Sequence, residues 1–159
     1  MSGETMTDDS LAPVRRYRPG RWRHLENAVM SLLTRVGLMP HSYLLLTRGR
    51  RTGKLRRTPV VLVELHGRRW LVAPYGVVGW VHNARAAGEV TLVRRAERRT
   101  YTIREVPAEE AGPVLQRYLD LAPAPRKYFR ARRGEPVERF VAEAHLHPVF
   151  ELTPTAVPG

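Results

Sequence analysis

The sequence predicts a mainly β domain with flanking helices, an α+β chain whose strands form a meander closing toward a barrel. Short runs rich in Val, Leu, Tyr and Thr recur at even spacing through the middle of the chain, separated by turn-like residues. That spacing argues against alternating βαβ units. Helical periodicity is confined to the flanks and one short interlude. With 159 residues, 43% of them hydrophobic, the chain is long enough for one substantial core and too short for two ordinary domains.

The elements follow in order. Residues 1–19 form an expected disordered tail, polar and acidic up to Pro13. Residues 20–154 form a single domain, and 155–159 a C-terminal tail. Trp22, Leu25, Val29, Leu32, Leu33 and Val36 recur at helical spacing opposite Arg23, Glu26, Asn27 and Arg35, with Gly37 as the stop. This amphipathic helix packs against a sheet, with peripheral membrane contact as the alternative. Strands are expected near 42–48, 56–66, 69–75, 89–94 and 98–106, with turns at Gly53, His66-Gly67, Gly76 and residues 94–97. Trp80 to Ala87 reads as a short helix. Pro107-Ala-Glu-Glu opens a second, with its acids at the favourable end of the dipole. Pro113 either kinks that helix or marks its real start. Beyond Ala122-Pro-Ala-Pro come a basic stretch from Arg126 to Arg133, a short helix over Pro136 to Glu143, and a last strand over Pro148 to Leu152.

Composition excludes several chemistries. Cys is absent, so no disulfide framework, thiolate nucleophile or Cys-ligated metal exists. No signal-peptide pattern or membrane-length apolar run is present, which makes a cytoplasmic location the expectation. The 27 Lys plus Arg against 15 Asp plus Glu give a formal charge of +12, nearly all from Arg. Such an excess serves nucleic acid, an anionic membrane or a small polyanion, and GC-rich coding also raises Arg. Nucleic acid ranks last, because aromatics do not interleave with the basic runs as a stacking platform requires. His145 and His147 would share one strand face but lack a third ligand, so no metal site is expected. No nucleophile elbow or carboxylate pair stands out.

Two constellations remain. The run Arg48 to Arg57, RGRRTGKLRR, packs six cations around Gly49 and Gly53 with no acid, between two strands. Guanidinium forks and N–H groups beside Gly bind phosphate and carboxylate oxygens. It is not a Walker loop, since a strand rather than a helix follows. A solvated basic hairpin would have the same composition. The second is Ala73-Pro74-Tyr75-Gly76 followed by Trp80 and Asn83. The glycine permits close approach of a planar ligand, Trp offers a flat wall, and Asn offers paired donors and acceptors. A core Trp with a polar helix neighbour would show the same spacing.

Together, Gly49-Arg50-Arg51-Thr52-Gly53-Lys54-Leu55-Arg56, Ala73-Pro74-Tyr75-Gly76 and Trp80-Val81-His82-Asn83, with Pro148-Val149-Phe150 to Pro154, resemble the deazaflavin-dependent nitroreductase family of actinobacterial oxidoreductases. The resemblance spans roughly residues 20–154. It implies a split β-barrel of the flavin-binding type and coenzyme F-420 as cofactor, with FMN ranking behind it. It further implies transfer of hydride to a small electron-poor acceptor such as a quinone, an enone or a nitro compound. A non-catalytic split barrel sequestering a flavin-like or apolar ligand is the alternative.

By the same resemblance, Arg51 stands where members carry a phosphate-contacting Lys, and Arg56 matches the second cation. Arg50, Thr52, Gly53, Lys54, Arg57 and Thr58 complete the tail site. Ala73, Pro74, Tyr75, Gly76 and Val77 line the deazaflavin ring beside Trp80 and Asn83. Pro74 stands where the best-known type has Ser, removing a hydroxyl and an N–H. Tyr118 and Tyr128 are candidates for the substrate pocket, and Tyr75 or Tyr128 for the proton donor. A homodimer is compatible with an exposed barrel face.

Overall fold

The computed structural model describes residues 40–155. The expected tail, the helix at Trp22 to Val36 with its proposed membrane contact, and residues 156–159 lie outside them. Six antiparallel strands, β1 (Ser42–Arg48), β2 (Leu55–Leu65), β3 (Arg68–Val72), β4 (Glu89–Arg94), β5 (Glu97–Glu105) and β6 (Val149–Pro154), close into a barrel in the order β1-β2-β3-β6-β5-β4. Closure is made by β1 against β4, where Leu45 lies opposite Leu92. No strand is left as an open edge. Helix α1 (Gly79–Ala87) connects β3 to β4, and α2 (Ala108–Leu121) and α3 (Val137–Glu143) connect β5 to β6.

The period of two places Leu45, Leu62, Leu71, Leu92, Tyr101 and Leu152 inside the barrel. Trp80, Val81 and Ala84 of α1 join that cluster, so α1 packs into the barrel core. A second core lies between the outer face of β2 and β3 and the pair α2–α3, built on Val63, Trp70, Val72, Leu115, Leu119 and Phe140. Each such fully buried apolar side chain contributes about 1.5–3 kcal/mol.

Local chemistry explains the boundaries. His66 and Gly67 both have positive φ (55° and 73°), the requirement of a tight two-residue hairpin between β2 and β3. The third strand ends at Val72 rather than 75. Ala73 still donates to Pro148 (2.8 Å), but Pro74 has no N–H with which to continue the ladder. Helix α2 runs unbroken from Ala108, with Pro113 inside it, so neither a late start nor a break occurs. The His145–His147 segment is not strand. It begins as a 3-10 turn over Ala144–Leu146, and β6 starts two residues after His147. Thr155, assigned to the C-terminal tail, remains bonded to Thr100 (3.1 Å).

The α2–α3 contact depends on Gly112. A methyl group built there collides with Val141 Cγ2 and lies 3.3 Å from Val137 Cγ2, one turn away on α3. Both valines are stiff at χ1 and cannot swing aside cheaply. Gly112→Ala is therefore expected to lower stability by about 1–3 kcal/mol despite the better helix propensity of Ala. Equilibrium urea unfolding checks this, and a stabilised variant would show the helices able to separate.

Candidate functional site

The two sequence constellations meet at Asn83. It sits on the buried side of α1, and its carboxamide oxygen accepts from both the backbone N–H and Nη1 of Arg50, each at 3.2 Å. Its amide donates to Thr47 Oγ1 at 3.4 Å, at the end of β1. A buried polar side chain must satisfy its donors and acceptors, and here it does so by tying the basic loop to the helix. Asn83 thus anchors the loop, and its amide is committed to the protein. Trp80 is similarly internal: it is buried and packed against Phe150 (centroids 5.9 Å apart), so it plugs the barrel rather than offering an open wall.

The loop is built differently from a nest of free N–H groups. Gly49 N–H donates to Lys54 O (2.7 Å), Gly53 N–H to Gly49 O (2.8 Å), and Lys54 N–H to Thr52 Oγ1 (3.2 Å). With Arg50 N–H on Asn83, four of the backbone donors expected to grip an anion are spent on the turn itself. Gly53 has φ 71°, and a methyl on Gly49 would press Thr52 Oγ1 at 3.0 Å, so both glycines serve the turn. Arg48 is spent as well, donating to Gly53 O (3.0 Å).

Arg51, Lys54, Arg56 and Arg57 are left, all exposed. Several arginines elsewhere find acids: Arg85 binds Glu105, Arg104 bridges Glu110 and Glu151, Arg133 reaches Asp120 and Arg139 reaches Glu135. Among the described residues no carboxylate lies within salt-bridge range of the four loop cations. Register separates them further. Arg56 lies opposite Thr47 and so shares its face, beside Asn83, whereas Arg57 lies opposite Leu46 and points to the other face. Thr58, half-buried, pairs with Leu45 on the barrel side.

The Ala73 to Val77 segment leads from β3 to α1. Ala73 is fully buried, Pro74, Tyr75 and Gly76 are half-buried, and Val77 is 46% exposed. Ala73 therefore belongs to the core and the others to the surface. Tyr75 meets Tyr128 edge-on, with ring centroids 4.8 Å apart, so the structure brings the two proton-donor candidates together. Burial first, and the neighbouring Tyr75 second, push the Tyr118 phenol far above its ordinary value. It stays protonated and buried, packed against Phe129.

Sequence reasoning missed Glu143 and His147. Both are buried, and His147 Nε2 lies 2.8 Å from Glu143 Oε1 while Nδ1 lies 2.9 Å from Pro74 O. Glu143 also accepts from the backbone N–H groups of Arg130 (3.1 Å) and Ala131 (2.6 Å). Burial alone would raise the Glu143 carboxyl, but the bonds from His147, Ala131 and Arg130 outweigh it and hold it below its ordinary value. The i,i+4 spacing from Glu143 to His147 was the available signal. No group of three metal-capable side chains occurs among the described residues, and no helix there is long and apolar enough to cross a membrane.

A cavity of about 80 Å3, lined by Tyr43, Arg69, Arg94, Arg99 and Tyr101 among others, lies at the other mouth of the barrel. Tyr43 lies near the start of β1 whereas the basic loop follows its end, roughly 15–20 Å along the strand. The cavity is thus separate from the loop.

Comparison with known proteins gives the arrangement its context. Solved structures with the same fold include one described as a domain-swapped dimer, 22% identical, covering 82% of this chain and 96% of that chain at a TM-score of 0.52. Another is an F420-H2 dependent reductase, 22% identical over 71% of this chain and 94% of that chain, TM-score 0.50. A conserved hypothetical protein from Mycobacterium tuberculosis aligns at 12% identity over 91% and 84% of the chains, TM-score 0.53. No curated protein matches. These likenesses establish a split-barrel fold. The family model for the F420H(2)-dependent quinone reductase matches residues 17–138, most of the chain and both constellations. The chain accordingly belongs to the F420H(2)-dependent quinone reductase family, oxidoreductases whose cofactor is coenzyme F-420.

Proposed function

We propose that the protein reduces a small electron-poor organic acceptor, a quinone, an enone or an activated nitro compound, using reduced F-420, and that the loop after β1 grips the cofactor's acidic tail. The observation that carries this is the set of exposed loop cations without acid partners among the described residues, pinned by Asn83 to the helix that follows Pro74-Tyr75-Gly76. The donor set fits the group. Phosphate and oligoglutamate oxygens are matched by guanidinium forks and an ammonium, and the loop's spent backbone N–H groups shift that task to Arg51, Lys54 and Arg56.

When bound, the reduced deazaflavin supplies a hydride. The chain's own work is to hold the tail at Arg51 and Arg56, to present the half-buried Pro74 to Gly76 segment to the ring, and to deliver a proton. That proton comes from the Oη of Tyr75 or Tyr128, whose rings meet edge-on. The non-catalytic alternative has no observation in its favour. A cytoplasmic location and a homodimer accompany this reading, the latter supported by the domain-swapped relative.

Titrating the protein with reduced F-420, oxidised F-420 and FMN, then adding menadione, a cyclic enone or a nitro compound, tests the reading. Acceptor-dependent oxidation of the bound deazaflavin is the expected result. Tight binding with no turnover across the three acceptor classes would establish the sequestering alternative, and preference for FMN would overturn the cofactor.

A further inference from the structure

We propose that His147 is a positioning residue: through its buried bonds to Pro74 and Glu143 it clamps the Pro74-Tyr75-Gly76 loop to the Tyr128–Ala131 segment, and so sets Tyr75 against Tyr128. The inference rests on the reading that this tyrosine pair faces the acceptor.

The clamp is a continuous chain of bonds. On one side, His147 Nδ1 meets Pro74 O at 2.9 Å. On the other, Nε2 meets Glu143 Oε1 at 2.8 Å, and the same carboxylate takes the N–H groups of Arg130 and Ala131. A carbonyl oxygen only accepts, so the bond to Pro74 is donated by the ring's Nδ1–H, while Nε2 faces the Glu143 carboxyl. Phe129 stacks on the imidazole with centroids 3.9 Å apart and planes 12° apart, which fixes the ring's orientation. Tyr118 in turn packs on Phe129 (6.1 Å).

One further contact makes the loop follow His147. Ala73 N–H donates to Pro148 O (2.8 Å). The segment 147–148 thus holds the start of the ring-facing loop, while Glu143 holds Arg130 and Ala131, just beyond Tyr128. Pro74 contributes by its carbonyl alone, since it has no N–H. The position at which Pro removes a donor is the position at which His147 supplies one.

None of these atoms touches the basic loop after β1, so the clamp governs the acceptor side and not the tail grip. Its removal is expected to loosen the relation of Tyr75 to Tyr128 while tail binding persists.

The test uses the full chain labelled with 3-fluorotyrosine, each resonance assigned by Tyr→Phe substitution, and compares the native protein with His147→Gln. Expected are broadened or shifted signals for Tyr75 and Tyr128, with Tyr43 and Tyr101 at the other mouth unchanged. In turnover the variant should lose about tenfold or more in kcat/KM for menadione, with the Kd for F-420 within about threefold of the native value. Unchanged Tyr75 and Tyr128 signals in a folded variant would overturn the proposal. Should His147→Gln not fold, Glu143→Gln is read the same way. In the native protein 15N spectra must show a proton on His147 Nδ1, and a bare Nδ1 would refute the clamp without any variant. If the fluorine signals respond but the native protein reduces no acceptor, the clamp stands and the assigned function falls.

Discussion

Replacing Arg51 and Arg56 together by alanine raises the Kd for coenzyme F-420 by about 100-fold and leaves the melting temperature unchanged. Each side chain supplies a solvent-exposed, charge-assisted contact, so about 1.4 kcal/mol apiece, the low end for such bonds, is appropriate. Two such losses multiply to about 100-fold. The fold is indifferent because neither residue has an acid partner among the described residues. Fluorescence titration at low ionic strength measures the effect, and in about 1 M salt the native and variant affinities should converge as screening shortens the reach of the charges. Arg57→Ala supplies the control. Its side chain leaves β2 on the opposite face from Arg56, so its loss should cost much less. Equal losses for Arg56→Ala and Arg57→Ala would mean that the tail does not run along the Thr47 face.

The largest stability effect is expected at Glu143. Glu143→Ala leaves the His147 ring and the N–H groups of Arg130 and Ala131 buried without their acceptor. Breaking a buried pair in this way costs about 3–5 kcal/mol. For a domain of this size that is a fall in melting temperature of roughly 10 °C, measurable by calorimetry. Acid has a related effect. The Glu143 carboxyl is held below its ordinary value of 4.5, so its contribution to stability is complete above that pH and is lost as pH falls through the lower folded value. The native protein should therefore lose stability progressively below about pH 4.5, and Glu143→Gln should flatten that part of the profile. An unaltered acid limb in the variant would place the sensitive carboxylate elsewhere.

Much of the barrel was legible because its signals are local. Apolar runs such as Leu44-Leu45-Leu46 and Val60 to Val63, and turn positions such as Gly67, are written within a few residues of where they act. The basic loop was legible for the same reason. What escaped were contacts between residues far apart in the chain: Asn83 with Arg50, 33 positions away, and His147 with Pro74, 73 positions away. His147 read as a spare histidine on a supposed strand, since nothing near it names Pro74 as its partner. Trp80 and Asn83 stand three residues apart on α1, and that spacing does not say whether they meet a ligand or the barrel interior.

The sequence alone determined the kind of protein this is: an α+β barrel, a cationic loop between two strands, and the motif order that places the chain in its family. Only the tertiary structure decided how the loop's groups are divided. It spent four backbone donors and two arginines on holding the turn, left Arg51, Lys54, Arg56 and Arg57 exposed without acids among the described residues, and sent Arg56 and Arg57 to opposite faces. The physical reason is that a charge and a turn are properties of a few neighbouring residues, whereas the availability of a donor depends on every group that folding brings within bonding distance. The six cations of the run look equivalent in one dimension. Barrel closure and the carboxamide of Asn83 make them unequal.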